Sequence, residues 1–201
     1  RSVHRAGSGR TTLATSAPHA LHMPSHIYSM VGMWESSIAS NQRAIAVTRE
    51  WVARNNPPGT HAGIVHATDF MAYAYLQLGQ DARAKALIDD MVGVKKIFGP
   101  QGPGAMGASA VPARYMLERQ DWPGAAQLQP MNIGFPAADA ITHFARAMGG
   151  ARSGDVSAAQ VDVDRLKELR AELEKRNQGY WAGQVEIQIL GAQGWVSQAQ
   201  G

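Results

Sequence analysis

Apolar positions along this chain recur at the three-and-four spacing of helices. The stretch "HALHMPSHIYSMVGMWESSI" (residues 19–38) reads as an apolar-faced helix, a turn at Gly32, and the start of a second amphipathic helix. "HATDFMAYAYLQLGQDARAK" (66–85) repeats that order at an offset of 47, matching His19 with His66, Tyr28 with Tyr75 and Gly32 with Gly79. The unit recurs in "VPARYMLERQDWPGAAQL" and in "ITHFARAMGGARSGDVSAAQVDVDRL". Turn positions then fall at Gly32, Gly79, Gln120 and Gly154, at intervals of 47, 41 and 34 residues. Glycine suits such turns because a helix often ends through a left-handed residue.

After each turn come an aromatic or its substitute and then a small residue: Trp34/Ser37, Asp81/Ala84, Trp122/Ala125 and Val156/Ala159. Small residues there let paired helices approach closely. The expected architecture is all-α: a right-handed α-solenoid of tetratricopeptide-like (TPR-like) antiparallel helix pairs, with essentially no sheet. The repeats are expected at about 18–56, 64–98, 105–130 and 137–174, followed by a capping helix over 175–198 that carries Glu186 and Gln188 among its aromatics. The Pro- and Gly-rich stretches "NNPPGTHAG" and "GPQGPGAMG" read as loop insertions, the second lacking the Gly-Lys-Ser/Thr of a phosphate loop. Pro24 falls inside the first predicted helix and should kink or restart it.

Composition changes this picture in one respect. The net charge of +3 suggests nucleic-acid binding until it is located: Arg1, Arg5 and Arg10 lie in residues 1–16, which hold no acid, and the remainder balances at sixteen basic and sixteen acidic residues. Residues 1–16 are expected to be a basic disordered tail before a helical domain over 17–201. With no basic stripe elsewhere, a nucleic-acid role is discounted, and no apolar run is long enough to span a bilayer. The absence of cysteine excludes disulfides, thiolate metal sites and cysteine nucleophiles, and leaves the compartment open. "DVDRLKELRAELEKR" reads as a solvated charged face with pairs such as Asp164–Lys167 and Glu172–Arg176.

The blocks "HALHMPSHIYSMVGMW", "ITHFARAMGGARSGD" and "YWAGQVEIQ" resemble a group of bacterial tetratricopeptide-repeat proteins over about residues 16–196, "HMPSHIY" being the most specific part. The resemblance implies a fold and no particular chemistry. It also implies a longer parent, cytoplasmic or exported, of which this chain is the C-terminal part, so that an unpaired first helix favours self-association.

The candidate chemistry lies with histidine. His19, His22 and His26 are spaced by three and then four, on one helical face. Imidazoles at i, i+4 can share a metal ion, and the repeat offset brings in His66 and Asp69, the counterparts of His19 and His22. Such a set would suit zinc or another divalent transition metal with an open position, and hence a metal-dependent hydrolase. No acid lies between His22 and His26, which removes the H-E-x-x-H reading, and Ser25 has no nucleophile elbow around it. The hydrolase is the alternative expectation; the first is a scaffold that binds a protein or peptide in a concave groove lined by Tyr28, Tyr75 and His143, with the histidines as groove residues. His61, in a Pro/Gly loop, is expected to be solvated.

Overall fold

The computed structural model describes residues 16–92, 94, 96–99 and 101–201, without the side chains of residues 92 and 101. The expected basic tail therefore lies, Ser16 apart, outside the described residues. Among the described residues the elements are helices, joined by turns and loops, and one pair of two-residue strands. In order the helices are α1 (Pro18–His22), α2 (Pro24–Met30), α3 (Trp34–Asn55), α4 (Ala62–Gln77), α5 (Asp81–Val92), α6 (Gln101–Glu118), α7 (Trp122–Ala126), α8 (Pro136–Arg152), α9 (Val156–Lys175) and α10 (Gly179–Gln200). Strands β1 (Thr60–His61) and β2 (Ile97–Phe98) pair in parallel, Thr60 with Ile97 and His61 with Phe98. Two compact units divide at residues 111 and 112, within α6.

The four turn residues read from the sequence all adopt the left-handed conformation, with φ of 73° at Gly32, 66° at Gly79, 55° at Gln120 and 84° at Gly154. Each is followed by the same bond: the next N–H donates to the carbonyl five residues back, as in Met33 to Tyr28 at 2.8 Å and Asp155 to Gly150 at 2.9 Å. This is the Schellman closure, which satisfies carbonyls that a helix end would otherwise orphan. A fifth copy, absent from the sequence reading, occurs at Asn177 (φ 58°), with Gln178 N–H donating to Leu173 O at 2.9 Å. Five residues after each left-handed position stands a buried small residue: Ser37, Ala84, Ala125, Ala159 and now Ala182. The local unit is thus turn, then close helix contact.

That fifth turn corrects the last boundary. Lys175 ends α9, and the final helix begins only at Gly179. "GPQGPGAMG" also differs from the expected connector, since from Gln101 onward it forms the first turns of α6. Pro103 is tolerated there because first-turn N–H groups need no intrahelical acceptor. The glycines serve contact: a Cβ on Gly104 would stand 2.8 Å from Ala62 Cβ, and one on Gly107 2.9 Å from Val65 O. Expected in a loop insertion, they are instead the surface on which α6 meets α4.

In the N-terminal unit α3 packs on α1, α2 and α4, and α4 on α5, around Leu21, Ile38, Ile45, Val65 and Met71. Tyr28 and Tyr75, expected in a ligand groove, are 5% and 6% exposed and belong to this core. In the C-terminal unit α8, α9 and α10 pack on one another, and α7 on α8. Leu166, Leu169, Leu173 and Val163 line the inner face of α9. Its outer face carries Lys167–Asp164, Arg165–Glu168, Arg170–Glu174 and Arg176–Glu172 ion pairs, the solvated charge pattern expected. No described helix is long and apolar enough to cross a membrane.

Candidate metal centre

Proline breaks the first helix where the sequence predicted. Pro24 has no N–H for the Ala20 carbonyl, and Met23 stands between α1 and α2. Ser40 Oγ donates to the Leu21 carbonyl at 2.5 Å and ties α3 to this break. His22 and His26 remain neighbours across it, their Nε2 atoms 3.0 Å apart. His66, from α4, completes a set whose ligand nitrogens lie within 4.8 Å of one another. It is the sole group of three or more His, Cys, Asp or Glu at metal-binding separation among the described residues.

Of the five residues proposed from the sequence, three converge. His19 and Asp69 fall outside the set. The His19 ring lies one turn away, 6.2 Å from that of His22. On α4 the cluster is met by His66 and, four positions on, Phe70. Phe70, which the sequence reading passed over, packs against all three imidazoles, with ring centres 5.0 Å from His22, 4.6 Å from His26 and 5.3 Å from His66.

A second residue missed from sequence is Asn41. Its Nδ2 donates to Ser37 O at 2.9 Å, which fixes the amide so that Oδ1 faces His22 Nδ1 at 2.6 Å. His22 Nδ1–H therefore donates to Asn41, and Nε2 carries the lone pair toward His26. An outer partner that fixes tautomer and ring orientation is what metal-bound imidazoles use. A signal for it was present: Ser37, Ser40, Asn41, Ala44 and Thr48 occupy the buried face of α3, where an ordinary core helix would carry large apolar residues.

The electrostatics favour neutral rings. Burial lowers the affinity of His66 for a proton to a pKa of about 4, with His22, His26 and His19 adding repulsion. His22 and His26 also titrate below the ordinary value, chiefly through burial. Neutral imidazoles at pH 7 have lone pairs available for a metal. A cavity of about 500 Å³ adjoins them, with His19, His22 and His66 on its wall.

His61, expected to be solvated, is held instead. Its Nδ1 accepts from Gly63 N–H at 2.9 Å and caps α4, and its ring packs edge-on against Trp51 and Phe98. The β1–β2 bridge brings these residues together. It needs glycine at position 59 (φ 105°), where a Cβ would meet Lys96 O at 2.6 Å. His143 belongs to a different arrangement in the C-terminal unit. Its Nδ1 lies 2.7 Å from Asp162 Oδ1, which also accepts from Arg146 Nε at 2.9 Å, while Arg146 Nη1 donates to Leu128 O. Its side chain is 14% exposed, so it is a part-buried member of a polar network.

No family model matches the chain, and neither a curated protein nor a solved structure does.

Proposed function

We propose that this chain is a metal-dependent protein of helical-repeat type, holding zinc or another divalent transition metal on His22, His26 and His66 beside a ligand cavity. The observation that carries the reading is the 3.0 Å approach of two imidazole nitrogens with a third inside 4.8 Å. Nitrogens about 2.0–2.1 Å from a tetrahedral zinc stand roughly 3.4 Å apart, so His22 and His26 are near that spacing and His66, part-buried, closes the set by side-chain rotation. Three imidazoles leave an open position, the arrangement of hydrolytic zinc sites. A hydrolase acting on esters or phosphoesters is the activity this reading supports. With His22 Nδ1–H on Asn41, His26 Nε2–H donates to His22 Nε2; coordination through the Nε2 atoms of both rings would require the His26 proton on Nδ1 instead.

The test is elemental analysis of protein purified without a histidine tag, after exposure to zinc and removal of free ion. The reading expects one equivalent in the wild type and traces in His22→Ala, with ester or phosphoester turnover lost to a chelator and restored by metal. Substoichiometric metal in the wild type would leave the histidines as a hydrogen-bonded pair with a packed neighbour.

A second reading, a TPR-like solenoid that binds a peptide, is favoured by the five Schellman turns each followed by a buried small residue. The two differ in ligand: one fills a small-molecule cavity, the other lies on a groove. Fluorescence anisotropy against a peptide library separates them, because the metal reading expects no peptide affinity that survives His22→Ala unchanged while ligand turnover is lost.

A further inference from the structure

The cavity beside the imidazoles has walls that restrict what it accepts. Its volume of about 500 Å³ is that of a small-molecule pocket. Among the described residues that line it there is no Asp, Glu, Lys or Arg. Several of its polar atoms are already engaged: Thr48 Oγ1 donates to Ala44 O at 2.7 Å, His61 Nδ1 accepts from Gly63, and His22 Nδ1 donates to Asn41. The remaining surface is largely Pro18, Ala44, Ala62, Pro103 and the ring of Trp51, itself 42% exposed. Trp51 is held in place by His61 and Phe98, its ring centre 5.8 Å from the first and 6.3 Å from the second. A charged substituent laid against the proline, alanine and tryptophan walls gives up part of its hydration for apolar contact, which costs more than seating an apolar group there.

We propose that the cavity takes an acyl compound with an uncharged apolar body and one metal-coordinating head group: a medium-chain or aromatic monocarboxylic acid or its derivative. The head lies where His22 and His66 border the cavity, at the open position of the ion these two would share with His26, and the body along Trp51 and the proline and alanine walls. This rests on the metal-centre reading above and adds the substrate class.

The experiment uses the full chain loaded with cobalt(II), titrated with straight-chain alkyl hydroxamates of two to eight carbons and followed by the cobalt absorption band. Affinity should rise about fourfold per added methylene while the chain still lies in the cavity. An eight-carbon hydroxamate ending in a carboxylate should bind at least about thirtyfold more weakly than its methyl-ended counterpart. Trp51→Ala, a substitution at a half-exposed site, should flatten the chain-length dependence and leave one equivalent of cobalt bound. Cobalt bound with an affinity indifferent to chain length overturns the substrate class alone. No cobalt band at one equivalent overturns the metal centre and this proposal with it.

Discussion

Each unit contains a histidine whose Nδ1 meets an oxygen nineteen residues further on, in the next long helix: His22 with Asn41 at 2.6 Å and His143 with Asp162 at 2.7 Å. The bonds look alike, but the partners differ. Asn41 is a neutral amide oriented by a backbone carbonyl, and the far side of His22 faces two more imidazoles. Asp162 is a carboxylate already gripped by Arg146, and among the described residues no third ligand gathers there. The comparison teaches that a histidine hydrogen bond does not mark a site. What marks one is where the other nitrogen points and what meets it there.

The largest expected effect separates the two histidines outright. His22→Ala should lower bound metal from one equivalent to traces, and His143→Ala should leave it at one; metal analysis of both proteins checks this. Loss of metal in both variants would make the effect a matter of folding. Next in size is stability in the C-terminal unit. Asp162→Ala leaves the part-buried Arg146 without its carboxylate and should cost about 2–3 kcal/mol, toward the low end for a broken buried pair because Arg146 is a quarter exposed. Hydrogen exchange should place that loss in α8 and α9, with metal content unchanged.

Smaller still is the outer partner. Asn41→Leu fills similar space but frees the His22 tautomer, and should weaken metal binding about 10- to 100-fold, measured by competition with a chelator. A separate effect, spread over a range of pH, is the response of the metal-free protein to acid. The folded state holds the three imidazoles below the ordinary value of 6.5, His66 at about 4. Between those limits the unfolded chain binds more protons than the folded one, so stability falls as pH drops through 6.5 toward 4 and is full above it. Hydrogen exchange of α3 and α4 should show that decline, and His66→Gln should reduce it. A flat profile would mean that the rings are not desolvated.

Much of this was legible in the sequence, for reasons that differ by feature. The turns at Gly32, Gly79, Gln120 and Gly154 were readable because a left-handed helix exit leaves a local signature. Asn177 escaped because it comes only 23 residues after Gly154, shorter than any interval the repeat had set. The helical start at Gln101 was hidden because glycine signals both flexibility and close packing, and only the neighbour at Ala62 and Val65 decides between them. At the site, His22 and His26 followed from helical spacing and His66 from the repeat. Asp69 did not: the offset matches positions along the chain, and the set of converging ligand atoms holds His66 without it. Phe70 is an ordinary residue in the sequence, and its role comes only from what it touches; Asn41 is marked in sequence only by the small and polar residues that share its face of α3.

The central claim is that three imidazoles share one ion. X-ray absorption of the zinc-loaded, tag-free chain measures this directly. The account predicts a four-coordinate first shell at about 2.0–2.1 Å with the outer-shell scattering of three imidazoles and one further oxygen or nitrogen. A six-coordinate shell of oxygens with one imidazole or none would contradict it.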